Sequence, residues 1–289
     1  MNEKVLIVGA TGMLGQPVTR KLKEDGYIIT ILSSDSARAR RIFGDEFEIV
    51  DGDVTNPESL KRPLEGKDFL YINLNASLDP VKYQKVEIEG TANLASAARE
   101  AGLKRIMNIS SAASKGSEIG KIFLDAKIRS EKSLIESGVP YTVMRPSWFF
   151  ETLPQFVQHG RAAILGRQPM KIHWLAASDY ASQVSKAFRL EEAANKCFYN
   201  LGPEKLTMTE ALQIYCDRIY DGMKAKEIPF WIAKLLAFLT RYKKLKLAIP
   251  FFEYFAAQDE NVDSSTADSL LGKNSTTISE WLDNQKVQK

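Results

Sequence analysis

A four-residue apolar run, Val5-Leu6-Ile7-Val8, passes directly into Gly9-Ala10-Thr11-Gly12-Met13-Leu14-Gly15, and no other segment constrains the fold as tightly. Consecutive apolar residues ending in glycine fit a strand covered on both faces within a parallel sheet. Glycines at 9, 12 and 15 then form a G-x-x-G-x-x-G loop, followed by a helical pattern from Pro17 to Glu24 that Asp25-Gly26 stops. Such a junction suits a pyrophosphate, because the first turn of a helix offers backbone N–H donors and the positive end of the helix dipole. Gly9 permits the tight turn, Gly12 lets the backbone approach the phosphates, and Gly15 lets helix and strand pack closely. Thr11, Met13 and Leu14 complete the expected phosphate-binding loop. The spacing is a variant of G-x-G-x-x-G, and its place at the start of a strand–helix–strand pattern makes it informative.

Further β-like runs occur at Tyr27 to Leu32, Phe47 to Val50, Phe69 to Leu74, Arg105 to Ile109 and Tyr141 to Met144. Helical patterns separate most of them, for example Gly90 to Ala101 and Ala126 to Ser137. Alternating strands and helices predict an α/β fold, a Rossmann-type doubly wound parallel sheet. From about Trp148 the alternation weakens. A helix is expected from Ser178-Asp179, residues suited to an N-cap, to about Ala194, with a short strand at Phe198 to Gly202 and a helix at Thr207 to Ile219. Thr277 to Glu280 fits a capping box. The expected organisation is a dinucleotide-binding domain over 1–150 and a smaller, mostly helical C-terminal lobe over 151–289. The lobe is expected to pack on the sheet's C-terminal edge without a flexible linker.

Composition narrows the partners. A formal net charge of +3 over 289 residues, with the basic residues scattered, argues against nucleic acid. The two cysteines, Cys197 and Cys216, have neither metal-ligand spacing nor a CxxC pair, and the two histidines, His159 and His173, form no ligand cluster, so no metal site is expected. Met1 to Lys4 lead straight into the first strand without a secretory pattern, and the expected location is cytoplasmic. The apolar stretch from Ile228 to Phe255 is broken by Lys234, Arg241, Lys243, Lys244 and Lys246 and makes a poor membrane span. Its aromatic residues read first as lobe packing; a cover over an apolar substrate pocket, or a membrane-surface or protein contact through 228–256, are the sharper alternatives.

An acidic residue commonly ends the second strand and binds the ribose 2′-hydroxyl of NAD. Here Ser33 and Ser34 stand at that place and Asp35 comes late. Arg38, Arg40 and Arg41 follow, either as partners for a 2′-phosphate or as a solvated helix face. The first reading favours NADP(H) over NAD(H).

These motifs resemble the atypical, NmrA-like branch of the short-chain dehydrogenase/reductase superfamily. The matching pieces are Gly9 to Gly15, Asp51-Gly52-Asp53-Val54, Gly90-Thr91-Ala92-Asn93-Leu94, Asn108-Ile109-Ser110-Ser111 and Tyr141 to Ser147. The resemblance implies that Asp53 and Val54 contact adenine, that Asn75 lies near the ribose and that Lys127 touches the nicotinamide ribose. It also implies that Pro146 to Phe149 border the nicotinamide and a small-molecule substrate or redox ligand.

Catalytically active relatives carry a Tyr-x-x-x-Lys pair plus a Ser or Thr. Four residues before Lys127 stands Phe123, which has no hydroxyl to transfer a proton. The serine slot falls on Ala112, with Ser111 or Ser114 as substitutes, and the usual helix asparagine falls on Glu87. A shifted alignment would instead give the tyrosine role to Tyr141 or Tyr180. Two functions follow. One is a reductase of a small apolar or quinone-like acceptor, which needs little general-acid help. The other is a non-catalytic NAD(P)H sensor or assembly protein. Sugar epimerisation is disfavoured, because it needs the missing tyrosine.

Overall fold

Parallel pairing organises the first of two compact units in the computed structural model, which describes residues 2–114 and 120–287. The strands are β1 (Lys4–Val8), β2 (Ile28–Ser33), β3 (Glu48–Asp51), β4 (Phe69–Ile72), β5 (Arg105–Ile109) and β6 (Tyr141–Pro146). A seventh strand, Lys196–Asn200, pairs with β6, and the order across the sheet is β3, β2, β1, β4, β5, β6 and then Lys196–Asn200. The reversal of strand order at β1 and β4 gives the doubly wound arrangement expected from the alternating pattern. Val5 pairs with Ile29 on one side and Phe69 on the other, and Val5, Leu6 and Ile7 are wholly buried. A strand covered on both faces has no solvent side to make polar, which is why the segment reads as an unbroken apolar run.

Local chemistry sets the helix boundaries. The helix Gly15–Glu24 ends where Gly26 takes a φ of 90°, with the Tyr27 N–H donating to the Leu22 carbonyl at 3.1 Å. A left-handed glycine here closes the last turn at no steric cost. The helix Ala177–Arg189 stops earlier than the expected Ala194, and Arg105 on β5 donates to the Ala187 and Leu190 carbonyls, each at 2.7 Å. A guanidinium thus satisfies carbonyls that a helix C-terminus leaves unpaired. Asp179 corrects its expected N-cap role: it lies in the first turn of this helix, and its carboxylate accepts from the Ser275 and Thr276 N–H groups at 2.9 Å.

The first unit comprises Met1–Pro146, Tyr180–Asn200 and Ser264–Lys273; the second comprises Ser147–Asp179, Leu201–Asp263 and Asn274–Lys289. One crossing falls close to the expected boundary at 150, but the chain returns to the sheet twice, so a division into 1–150 and 151–289 does not describe the compact units. Helices dominate the second unit, as expected, including Met208–Ile219, Phe230–Thr240, Lys243–Ala256 and Ile278–Val287. It also contains two three-stranded sheets built from short strands that the sequence pattern does not reveal. Thr207 and Thr277 each form a reciprocal capping box, with Glu210 and Glu280. The segment 228–256 divides in two. Phe251 and Phe255 pack on Trp148 and Phe252 on Phe156, whereas much of Phe230–Thr240 faces solvent.

Candidate functional site

Parallel strands bring their C-terminal ends to one edge, so the loops after β1, β2 and β4 gather within the first unit. The Asn73 N–H donates to the Val8 carbonyl at 2.9 Å, and this sets the loop after β4 against the glycine loop. Gly9 adopts a φ of 83°, and a Cβ there would stand 1.9 Å from the Asn73 carbonyl oxygen. A Cβ on Gly15 would stand 2.1 Å from the Gly9 carbonyl oxygen. Both glycines are therefore demanded by the protein's own packing. Gly12 differs: its Cβ would meet only the Gly9 carbonyl oxygen, at 3.3 Å. The helix opens behind it with no side chain capping its N-terminus at Leu14. Thr11, Gly12 and Met13 thus form a cradle in front of helix N–H groups, and this fits a pyrophosphate.

Ser33 ends β2 and Ser34 follows it, and the Ser33 hydroxyl accepts the Asp35 N–H at 3.1 Å. Asp35 caps the next helix, its carboxylate accepting the Arg38 N–H at 2.9 Å. A carboxylate committed to its own helix is a poor acceptor for a ribose hydroxyl. Arg38, Arg40 and Arg41 are exposed. Beyond β3, Asp53 is exposed and accepts the Thr55 N–H and hydroxyl, each at 2.8 Å. Val54 is buried, and a Cβ on Gly90 would lie 2.7 Å from its Cγ2, which explains a glycine at the start of the helix Gly90–Glu100. Asn75 is exposed and its side chain accepts the Ser77 N–H at 2.6 Å. Ser77 and Leu78 then take φ values of 51° and 63°. Left-handed backbone at a branched residue such as leucine costs free energy and often marks a functional loop.

Lys127 lies on the helix Ile122–Glu136, and its ammonium meets the Glu87 carboxylate at 2.8 Å and the Leu74 carbonyl at 3.3 Å. Glu87 is buried in a π-helical stretch, Tyr83–Glu89, and its other oxygen accepts the Ala76 N–H at 2.7 Å. One carboxylate thus ties the lysine to the strained loop after β4. Phe123 packs one helical turn earlier in an apolar cluster with Ala76, Tyr83, Ile88 and Ala126.

Tyr141 and Tyr180, the tyrosines of a shifted alignment, do not lie on the helix that carries Lys127. Tyr180 is wholly buried against Tyr71, hydroxyl to hydroxyl at 3.2 Å, and burial raises both phenols well above the ordinary value. Tyr141 begins β6, at the opposite end of the sheet from the glycine loop. Ser114 is fully buried with its hydroxyl 3.4 Å from that of Ser110, and Ser111 accepts the Ala113 N–H. Tyr83 is a tyrosine that sequence reasoning passed over, although it shares the Phe123 cluster. Burial, reinforced by Glu87, raises its pKa, the opposite of what a general base needs.

A second polar cluster also went unread. Glu131, one turn beyond Lys127, accepts from the Ser110 hydroxyl and from Arg145, whose Nε lies at 3.1 Å and whose Nη1 donates to the Tyr199 hydroxyl at 3.2 Å. The signal was present: Lys127, Ser130, Glu131 and Leu134 occupy one helical face, so polar residues sit where apolar ones are expected. Pro146 ends β6, buried, in this first unit. Phe149 belongs to the second unit, where its strand runs parallel to Ile172–Leu175, pairing Phe149 with Leu175. His173 in that unit holds the Glu260 carboxylate through Nδ1 and its N–H, both at 2.7 Å, consistent with a structural role.

Residues 1–282 match the NmrA-like family. The chain is 25% identical over 249 residues to a photosystem II assembly factor, Ycf39, of Synechocystis sp. (83% of this chain, 74% of that protein). It is 26% identical over 212 residues to an NAD(P)H azoreductase of Xenophilus azovorans (71% of this chain, 70% of that protein). Its fold is similar to that of an NADPH-dependent quinone oxidoreductase from Escherichia coli solved with NADPH, with a TM-score of 0.75, 22% identity and coverage of 98% and 99% of the two chains. The match over nearly the whole chain makes it a member of the NmrA-like family, on a Rossmann-type fold.

Proposed function

We propose that this chain is an NAD(P)H-dependent oxidoreductase that reduces a quinone-like or small apolar acceptor without a tyrosine acid. The observation that carries the reading is the pairing of the glycine cradle before an uncapped helix N-terminus with Phe123 in the tyrosine slot. The cradle supports dinucleotide binding, with Gly9 to Gly15 on the pyrophosphate, Asp53, Val54 and Asn75 on the adenosine side and Lys127 on the nicotinamide ribose. Pro146, at the end of β6, borders the acceptor. Bound in this way, a reduced nicotinamide supplies a hydride. A quinone that takes up this hydride becomes a resonance-stabilised monoanion, a far weaker base than an alkoxide, so one proton from water completes the reduction. An alcohol or a sugar hydroxyl has no such option, and Phe123 offers neither acid nor base. The exposed Arg38, with Asp35 engaged in capping, supports NADP(H) over NAD(H).

The test is NADPH consumption with a panel of quinones and aldehydes, in wild type, Lys127→Ala and Arg38→Ala. Quinones are expected to turn over and aldehydes not. Lys127→Ala should lower kcat/KM at least tenfold, and Arg38→Ala should weaken NADPH about tenfold while leaving NADH within about twofold, a loss of roughly 1.4 kcal/mol. The same Phe123 observation supports a second reading, a dinucleotide-binding sensor or assembly protein. Tight NADPH binding without turnover of any acceptor would favour it.

A further inference from the structure

The helix Phe230–Thr240 is built inside out. Its small residues, Ala233 and Ala237, are buried one turn apart against Leu165, Ile228, Leu245 and Ile249. Phe230 packs with them, but most of the helix's large apolar side chains point the other way: Trp231 is 68% exposed, Phe238 80% and Leu239 66%, with Leu235 and Leu236 also exposed. A helix that packs alanines inward and presents leucine, phenylalanine and tryptophan outward leaves a contiguous apolar surface, which in a folded protein marks an interaction site. Its single charge, Lys234, is neutralised by Glu253 at 2.6 Å.

Cations gather at one end of that face. The helix ends at Arg241, with a φ of 52°, followed by the exposed Tyr242, Lys243, Lys244 and Lys246. No ion pair engages Arg241, Lys243, Lys244 or Lys246 among the described residues, and the chain has no acidic residue between Glu227 and Glu253. We propose that this helix and the turn after it dock on an anionic lipid bilayer, the apolar side chains entering the headgroup boundary and the cations meeting lipid phosphates. An exposed tryptophan and tyrosine flanking the leucines and Phe238 suit that boundary, where one side of the ring is apolar and the other wet. Eleven helical residues are too few to span a bilayer, so the helix lies in the interface plane. A second copy of this chain fits the face less well. Two-fold pairing would set identical uncompensated cationic turns against the same surface, whereas anionic lipid complements them.

Flotation of the full chain, without cofactor, on phosphatidylcholine vesicles with and without phosphatidylglycerol tests the proposal. The wild type is expected to float with the anionic vesicles and at least tenfold less with the neutral ones. Phe238→Ser with Leu239→Ser, both at exposed positions, should abolish flotation with an unchanged Tm. Lys243→Gln, Lys244→Gln and Lys246→Gln together should weaken binding to anionic vesicles about a hundredfold, roughly fivefold per lysine. The proposal is overturned if the wild type stays unbound at low ionic strength, or if binding survives both sets of substitutions. It is also overturned if vesicles are ignored while the chain forms a concentration-dependent dimer that Phe238→Ser with Leu239→Ser dissociates.

Discussion

At the residue scale, the three loop glycines answer to different masters. Gly9 and Gly15 are held by contacts within the protein, since a Cβ at either would collide with main-chain oxygens at 1.9 and 2.1 Å. Gly12 is less confined: a Cβ there would press on the Gly9 carbonyl oxygen at 3.3 Å, a contact that a shift of a few tenths of an ångström relieves, and it would also stand against the proposed pyrophosphate. Gly15→Ala should therefore destabilise the fold by about 2 kcal/mol or more through overpacking. Gly12→Ala should cost clearly less stability, about 1 kcal/mol or below, and weaken NADPH tenfold or more. Thermal melts and NADPH fluorescence titration on both variants separate the two roles. Equal loss of stability in both would refute the distinction.

At the element scale, the Lys127–Glu87 pair fastens the helix Ile122–Glu136 to the loop after β4. Glu87 is 3% exposed, so removing its cation leaves a charge in a poorly solvating place. Lys127→Ala is expected to cost about 3 kcal/mol of stability, and Lys127→Ala with Glu87→Gln clearly less, because the glutamine keeps an acceptor for the Ala76 N–H without the stranded charge. Urea denaturation of the two single variants and the double variant measures the coupling. Additive losses would mean that the pair is not a unit. Any activity assay of Lys127→Ala should be read beside this stability series, since the lysine supports the loop as well as the proposed ribose contact.

At the scale of the whole molecule, the chain threads its two units more than once, and the second unit is closed by segments distant in sequence. Glu151 joins two of them, accepting the Ala177 N–H at 3.1 and 3.2 Å and the Trp281 indole N–H at 2.9 Å. Burial raises its pKa above the ordinary 4.5; these hydrogen bonds oppose the shift and the nearby Asp179 adds to it. With a raised folded-state pKa, the native state binds more protons than the unfolded one as pH rises through 4.5, so this carboxyl's contribution to stability falls with increasing pH. Glu151→Gln should accordingly gain Tm relative to wild type as pH is raised from about 4 to about 7. A difference in Tm that stays constant across that range would show that the carboxyl does not titrate as burial demands.

The central sheet was legible because local rules carry it. Strands buried on both faces must be apolar throughout, Asp25-Gly26 can stop a helix by backbone geometry alone, and Thr277 with Glu280 forms a capping box between near neighbours. The glycine loop and its place between β1 and the helix Gly15–Glu24 were legible for the same reason, being one short strand–loop–helix unit. Phe123 was readable too, by its spacing from Lys127. What lay beyond the sequence were partnerships across long separations. Lys127 meets Glu87 forty residues away in the chain, Asp179 binds Ser275 and Thr276 instead of capping its own helix, and Tyr180 is sealed against Tyr71. Whether an ionisable side chain is exposed, paired or buried depends on which distant residue faces it, and only the tertiary structure decides that. The helix Phe230–Thr240 makes the same point from the surface: its composition is that of a core element, and only the packing of Ala233 and Ala237 shows that most of its large side chains face outward.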